Sequence, residues 1–98
     1  MDDVSELREY LAERSHIGWM AERQSQGFAD HVYRGEWVGD TPYVQCSTTC
    51  ALPQDKHHPD MVPYADLPEH VKAYDRRTVD GVLAGIEAAG YRIVKANE

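Results

Sequence analysis

The fold is decided by the stretch LPEHVKAYDRRTVDGVLAGIEAAG, residues 67–90. Its apolar and small side chains recur at the three- and four-residue spacing of an amphipathic helix. This stripe consists of Val71, Tyr74, Thr78, Val82, Ile86 and Ala89, and it is widened by Val79 and Leu83. Pro68 suits the first turn of a helix, and Gly90 suits its C-terminal end. The pattern predicts a long helix that buries a broad face.

Two glycines lie four residues apart in this helix, Gly81 and Gly85. Each costs up to about 1 kcal/mol relative to alanine in a helix interior. We therefore expect a neighbouring backbone or aromatic ring to approach the helix closely at these positions.

A second helical pattern lies near the start of the chain. Its apolar positions are Val4, Leu7, Leu11, Ile17 and Met20. Gly27 is the residue type that commonly ends a helix in a left-handed conformation, and Phe28 can then fold back onto the last turn. We predict a helix from about Val4 to Ser25.

The two helices are joined by a long connection, residues 28–63, that has no helical period. Residues 36–38 and 43–45 predict a short hairpin around the turn at Gly39 and Asp40. A connection of this length is either functional or packed by its own aromatic side chains. The candidates for that packing are Tyr33, Trp37, Tyr43 and Tyr64.

Together these patterns predict a mainly α fold. Residues 1–98 are expected to form one small domain with two long helices, a long irregular connection that includes the hairpin, and a short extended segment at residues 91–94. The chain of 98 residues is 42% hydrophobic and 28% charged, which suits one modest hydrophobic core. A core of this size leaves little room for an enclosed pocket, so we expect any ligand to bind in a surface cleft.

The charge balance excludes several classes of partner. Ten Lys and Arg residues oppose seventeen Asp and Glu residues, which gives a formal net charge of −7. Nucleic acids and anionic membranes need clustered basic groups, so neither is an expected partner. A small anionic ligand is compatible with this balance, because a few well-placed cations are enough to hold it.

The chain also lacks the pattern of an exported or membrane protein. It begins with the acidic segment MDDVSELREY, and it contains no apolar stretch long enough to span a bilayer. Cys46 and Cys50 are too few for a disulfide scaffold and fit a reducing compartment. We expect a cytoplasmic protein with free thiols.

The first predicted helix carries a strip of chemically active side chains. His16, Trp19, Met20 and Arg23 lie on one face by their spacing. Trp19 can stack on a planar ligand, Arg23 can pair with its phosphate, and His16 can exchange a hydrogen bond with its edge. The alternative is structural: Trp19 belongs to the core and Arg23 packs across its ring.

Two stretches of the chain resemble the Ry-repeat domain, named after the ryanodine receptors. They are HIGWMAERQSQGF, residues 16–28, and HPDMVPYADLPEHVKAYDRRTVDGVLAGIEAAGYRI, residues 58–93. The first matches the family at Trp19, Arg23, Gly27 and Phe28. The second matches at Pro59, Met61, Val62, Pro63, Tyr64, Leu67, Lys72, Asp75, Gly90 and Tyr91. The link at residues 29–57 is longer than in the family, so nothing is carried over to it.

The resemblance implies a small, mainly helical domain of a kind found in tandem in giant calcium channels and singly in bacterial and viral proteins. The chain would be a single-domain bacterial or viral member. The family also implies sensing of a nucleotide-derived molecule, with an aromatic cleft able to hold an adenine nucleotide.

Three further residues complete the candidate site. Tyr64 lies in the stiff HPDMVPY run, and its hydroxyl can face a ligand while its ring packs. Lys72 and Asp75 contribute only if they face the strip of Trp19, and a solvated surface pair is their structural alternative. The candidate ligand-binding residues are therefore His16, Trp19, Arg23, Tyr64, Lys72 and Asp75.

Soft and borderline metal ligands cluster in the connection: Cys46, Cys50, His57 and His58. Their spacing lies outside the commonest form of a structural zinc site. Adjacent histidines also point in different directions, so one ion does not readily bind both. We therefore expect no metal, and zinc on Cys46, Cys50 and His57 is the alternative.

The sequence contains no motif of a known catalytic site. We expect a non-enzymatic domain, without a cofactor, that binds a small nucleotide-like molecule. The alternative is a protein-interaction or homo-oligomerisation module that uses the same aromatic strip. A third interpretation is an enzyme that acts on a nucleotide-derived signal.

Overall fold

The computed structural model describes residues 3–39 and 41–96. In chain order its elements are α1 (Asp3–Ser25), β1 (Tyr33–Val38), β2 (Thr41–Gln45) and α2 (Glu69–Ala88). Two single 3₁₀ turns, Gln54–Lys56 and Tyr64–Asp66, lie between β2 and α2. The predicted pair of long helices and the hairpin are confirmed, and the fold is a mixture of two helices and a two-stranded antiparallel sheet. No helix in the described ranges combines the length and hydrophobicity that crossing a bilayer requires.

The main core lies where α1, α2 and residues 62–67 meet. Its buried members are Ala12, Val62, Tyr64, Leu67 and Val79, and the partly buried Leu11, Val71 and Leu83 pack against them. Residues 62–67 therefore cross the contact between the two helices.

The buried face of α2 differs from the predicted stripe. Val79 is buried, whereas Tyr74 and Val82 are 63% and 57% exposed. The prediction for Tyr74 and Val82 is wrong because α1 and residues 62–67 cover only one side of the helix. The expected close approach at Gly81 and Gly85 is also wrong, since a Cβ atom at either position would meet, within 4 Å, no heavy atom of the described residues beyond its chain neighbours and the nearby backbone of α2.

The hairpin is longer than predicted. β1 pairs with β2 from Tyr33 opposite Gln45 to Val38 opposite Thr41, with an irregularity in register between Arg34 and Trp37. Gly39 occupies the turn with φ of 64°, and Asp40, the other predicted turn residue, lies outside the described residues.

Of the four aromatic side chains named as candidates for packing the connection, three are not buried. Tyr33, Trp37 and Tyr43 are about half exposed or more, and Tyr64 alone of the four candidates is buried. A second core cluster supports the connection instead: Ala29, Val32 and Met61, packed against Trp19, Met20, Val44 and Cys46. This cluster joins the end of α1 to the hairpin, and it sets the position of the candidate sites.

Residues 91–96 follow α2 without regular secondary structure, and the side chains of Tyr91, Ile93 and Val94 are exposed. They lie beside the N-terminal half of α1, where Val4, Leu7 and Tyr10 line a shared groove of about 650 Å³.

Candidate functional site

The end of α1 places an aromatic ring against a cation. Gly27 has a φ of 90°, and the N–H groups of Gly27 and Phe28 donate to the carbonyl oxygens of Gln24 and Arg23 at 3.0 and 3.1 Å. This is the Schellman arrangement, which a left-handed glycine adopts at little steric cost. It turns Phe28 back onto α1, where Cζ of Arg23 lies 5.5 Å from the centre of the Phe28 ring.

Arg23 also lies against Trp19, one turn earlier on α1. Its Cζ is 5.6 Å from the centre of the indole, and its Nη1 donates to Oε1 of Gln26 at 3.2 Å. A guanidinium that lies against aromatic rings can still donate its remaining N–H groups to other acceptors.

Lys56 joins this group from the connection. The N–H of Ala29 donates to the carbonyl oxygen of Lys56 at 2.8 Å, which brings residue 56 alongside Phe28. Nζ of Lys56 lies 5.1 Å from the centre of the Phe28 ring and donates to the carbonyl oxygen of Gln26 at 3.3 Å. We call this group the cation–aromatic patch: Trp19, Arg23, Phe28 and Lys56.

Neither cation of the patch has a carboxylate partner in the part of the chain that the structure describes. Four other cations do form ion pairs with acidic side chains: Arg8, Arg34, Lys72 and Arg76. All four side chains of the patch are half-buried, so they are accessible yet held in place.

Two histidines contact Trp19. His16 stacks on it with ring centres 5.7 Å apart, and His58 meets it edge-on at 4.9 Å. Burial and, to a smaller extent, the charge of Arg23 lower the pKa of His58. Nδ1 of His58 accepts the N–H of Asp60 at 3.1 Å, so the proton of the neutral ring is on Nε2.

His16 is buried at 3% exposure, and its Nε2 donates to the carbonyl oxygen of Val62 at 2.7 Å. This hydrogen bond fixes α1 to the segment that crosses both helices. It also uses one of the two ring nitrogens that the sequence suggested for a ligand.

Tyr64 and Lys72 belong to a network around Glu9 of α1. The Tyr64 hydroxyl donates to Oε1 of Glu9 at 2.8 Å, while Nε and Nη2 of Arg76 donate to the same carboxylate at 2.9 and 3.0 Å. Lys72 lies with Nζ 5.4 Å from the centre of the Tyr64 ring and 3.8 Å from Oε1 of Glu69. The bonds from Arg76 lower the pKa of Glu9 to about 2, and burial with the bond to Glu9 raises the pKa of Tyr64 to about 12.

Asp75 is half-buried on α2, and burial raises the pKa of its carboxyl, an effect that the nearby His16 opposes. The structure therefore connects the predicted residues through His16, which touches Trp19 on one side and lies 6.3 Å from the ring centre of Tyr64. Their role in ligand binding stays a prediction.

Sequence reasoning did not single out Lys56. Its place beside Phe28 depends on the hydrogen bond between Ala29 and Lys56, which are 27 residues apart in the chain. No spacing rule relates two residues across an irregular connection. The Gly27 and Phe28 pair, by contrast, was visible as a helix stop.

A concave surface of about 780 Å³ lies between β1 and residues 61–68, and none of the six predicted residues lines it. Arg34 and Trp37 contribute to its wall. Arg34 is 10% exposed, pairs with Asp60, and donates through Nε to the carbonyl oxygen of Pro59 at 3.1 Å. Its Nη1 is buried without a hydrogen-bond partner in the described part of the structure.

The sulfur and imidazole groups of the connection also come together. Sγ of Cys50 lies 3.5 Å from Nε2 of His57, whereas His58 turns away towards Trp19. A hydrogen bond from the backbone N–H of Leu52, helped by Cys46 and His57, lowers the pKa of Cys50 to about 6. Both cysteines are free thiols, as expected.

No protein-family model matches this chain, and the comparison with curated proteins finds no match. The resemblance to the Ry-repeat domain therefore rests on the quoted motifs and stays a prediction.

Proposed function

We propose that this chain is a non-enzymatic domain of the Ry type that binds a small, nucleotide-derived anion at the cation–aromatic patch. The observation that supports this most directly is the position of Arg23 and Lys56. Both cations lie against aromatic rings, and neither has a carboxylate partner among the described residues of a chain with a formal net charge of −7.

Electrostatics supports an anion at this place. Acidic groups outnumber basic ones on the chain, so an anion is repelled by most of the surface and attracted where cations are not neutralised. Among the described residues Nη1 of Arg23 donates to Gln26, and its Nε and Nη2 groups suit a phosphate or carboxylate in two-point pairing, while the ammonium of Lys56 adds a second positive charge.

The aromatic members support a planar ligand rather than a bare phosphate. Trp19 is half-buried, and the part of its indole that His16, Arg23 and His58 leave accessible can contact a base. His58 meets that indole edge-on and carries its proton on Nε2, which suits it to donate to the edge of a base. The aromatic rings and the two cations together favour a ligand that has both a planar ring and a negative charge.

Of the six predicted ligand-binding residues, Trp19 and Arg23 are the proposed direct contacts. His16 orients Trp19 through its stacking and its bond to Val62. Tyr64, Lys72 and Asp75 are proposed contacts for a ligand that extends from Trp19 towards α2.

Isothermal titration calorimetry tests the proposal with adenine nucleotides, ADP-ribose and cyclic nucleotides. Inorganic phosphate and adenosine are titrated separately, as the anionic half and the planar half of an adenine nucleotide. At least one nucleotide should bind about tenfold more tightly than either half, and Arg23→Gln should weaken that binding about tenfold or more. Arg77→Gln is the matched control, because Arg77 makes the same kind of contact with Tyr74 on α2, at 5.7 Å, and should bind like the wild type.

Circular dichroism establishes that each variant is folded before its affinity is compared. If no member of the panel binds at millimolar concentration, or if Arg23→Gln and Lys56→Gln both bind as the wild type does, the proposal is wrong. Chromatography of the nucleotide after long incubation should recover it unchanged. Turnover would support the enzymatic interpretation instead.

A protein-interaction module is the second candidate. The exposed apolar side chains of the groove between α1 and residues 91–94 favour it, since Val4, Tyr10, Tyr91 and Val94 are each at least 60% exposed. A second copy of the chain is the partner to test by sedimentation velocity. A concentration-dependent dimer that Tyr10→Glu dissociates supports this candidate, and a monomer at all concentrations contradicts it.

A further inference from the structure

Three side chains from the two sides of the hairpin converge at its base. His31, Cys46 and Cys50 each offer one ligand atom, and these atoms lie within 4.8 Å of one another. Nε2 of His57 adds a fourth ligand atom at 3.5 Å from Sγ of Cys50. With Zn–S of about 2.3 Å and Zn–N of about 2.0 Å, the ligand atoms of a tetrahedral zinc site are about 3.3–3.8 Å apart. The 3.5 Å between Cys50 and His57 falls within this range, and the 4.8 Å that bounds the three atoms of His31, Cys46 and Cys50 lies about 1 Å above it.

Both histidines are already oriented through Nδ1. The Nδ1–H of His57 donates to the carbonyl oxygen of Pro53 at 3.0 Å, and the Nδ1–H of His31 donates to Oδ1 of Asp30 at 3.1 Å. Each bond holds the proton on Nδ1 and leaves the lone pair of Nε2 for a metal. A carbonyl or carboxylate in this place is the usual outer partner of a zinc-bound histidine.

The surrounding chain lacks an apolar core of its own. No residue between 47 and 57 is buried, and the loop is held by short turns such as the 2.9 Å bond from the N–H of Cys50 to the carbonyl oxygen of Ser47. Small segments of this kind gain order from a metal cross-link when apolar burial is insufficient. His31 lies just before β1 and Cys46 directly follows β2, so both lie at the base of the hairpin. An ion bound to all four side chains would link the 47–57 loop to that base.

We propose that His31, Cys46, Cys50 and His57 bind one zinc ion in a tetrahedral Cys₂His₂ site that holds the 47–57 loop to the base of the hairpin. The two thiols lose their protons to solvent on binding, and the two imidazoles bind as neutral rings. Two thiolates then balance the charge of the ion. All four coordination positions are filled by protein, which makes the site structural rather than catalytic. Thiolate and imidazole ligands together favour zinc over magnesium or calcium.

This inference does not depend on the proposed ligand site. It assigns His31, which sequence spacing did not suggest, and it selects His57 rather than His58. The His58 ring instead contacts Trp19 edge-on and accepts a hydrogen bond from the N–H of Asp60.

The test uses the untagged full-length chain, reduced, stripped of metal by a chelator, and titrated with zinc or cobalt under a phosphine reductant. We expect one equivalent of zinc per chain by mass spectrometry of the native protein. Cobalt should give the visible bands of a tetrahedral ion and a thiolate-to-cobalt charge-transfer band. Zinc should also protect both cysteines from alkylation and raise the thermal midpoint by several degrees.

Single variants test each ligand. Cys50→Ser should abolish the charge-transfer contribution of one thiolate, and His31→Gln and His57→Gln should each weaken zinc binding at least tenfold. His70→Gln is the matched control, since His70 is an exposed histidine outside the cluster, and it should bind zinc like the wild type. The wild-type cobalt spectrum tests the donor set even where a variant fails to fold.

Four results would overturn the inference. One is a reduced wild-type chain that takes up less than one equivalent of zinc. Another is a cobalt complex without thiolate charge transfer. The third is zinc affinity unchanged in both His31→Gln and His57→Gln. A Cys46–Cys50 disulfide that persists in the reductant would count against the site in the same way.

Discussion

Nε2 of His16 lies 2.7 Å from the carbonyl oxygen of Val62 inside the domain, and both residues are buried. This bond joins the middle of α1 to the segment that covers both helices. It also holds the ring that stacks on Trp19. The residue that the sequence suggested as a ligand contact thus has a structural role that can be measured separately.

Replacement of His16 by Phe should destabilise the domain by about 1–3 kcal/mol, because it leaves a buried carbonyl group without a donor. His16→Gln keeps an N–H on a side chain of similar reach and should lose less. Urea denaturation followed by circular dichroism measures both free energies of unfolding. His70→Phe, at an exposed position, should change stability by no more than about 0.5 kcal/mol. Equal midpoints for His16→Phe and the wild type would contradict the role of this bond.

The ion pair between Glu9 and Arg76 should make stability depend on acid pH. Arg76 holds the pKa of Glu9 at about 2 in the folded chain, below its ordinary value of 4.5. The folded state therefore favours the ionised carboxylate, so the contribution is complete above pH 4.5 and is lost as the pH falls towards 2. Glu9 is 47% exposed, and solvent screening limits the effect to about 1 kcal/mol or less.

The urea midpoint should fall less between pH 4.5 and pH 2.5 in Glu9→Gln than in the wild type. Glu13→Gln, an exposed acid on the same helix, should leave the pH profile unchanged. Parallel profiles for the wild type and Glu9→Gln would show that the ion pair contributes nothing.

The pair of Arg34 and Asp60 should be sensitive to the loss of one partner. Arg34 is 10% exposed and Asp60 is 22% exposed, so Asp60→Asn leaves a desolvated cation without its counter-charge and should cost about 3 kcal/mol. The double variant Arg34→Met with Asp60→Leu should recover most of that loss. Asp80→Asn breaks the exposed Arg8 pair and should cost less than about 1 kcal/mol. Equal losses from Asp60→Asn and Asp80→Asn in urea denaturation would contradict this prediction.

The glycines within α2 and the glycine that follows it should respond in opposite directions to alanine. Gly81 and Gly85 have open space where a Cβ would lie, so each substitution should stabilise the domain by up to about 1 kcal/mol. Gly90 has a φ of 94°, which disfavours any side chain, and Gly90→Ala should destabilise by about 1 kcal/mol. Thermal midpoints of the three variants provide the measurement. A fall in midpoint for Gly81→Ala would indicate a neighbour that the structure does not contain.

Local chemistry allowed part of this architecture to be predicted. The periodic stripes and their glycine stops indicated α1 and α2, and the turn residues indicated the hairpin. The same patterns wrongly predicted that Tyr74 and Val82 are buried, and both are exposed in the structure. Periodicity indicates which residues share a face of a helix, but it does not indicate how much of that face a neighbouring element covers.

The candidate sites were predictable only where their members are close in sequence. Spacing on one helix was sufficient to bring Trp19 and Arg23 together, and the Gly27 stop turned Phe28 onto them. Lys56 reaches the patch only through its bond with Ala29.

The sequence by itself therefore determined the two helices, their ends and the Trp19–Arg23 strip, because these depend on interactions within a few residues. Tertiary structure alone decided that His31 joins Cys46 and Cys50, since the hairpin must form before residues 15 apart can meet. It also decided between the two adjacent histidines, because the core around Trp19 takes one ring and leaves the other beside the thiols.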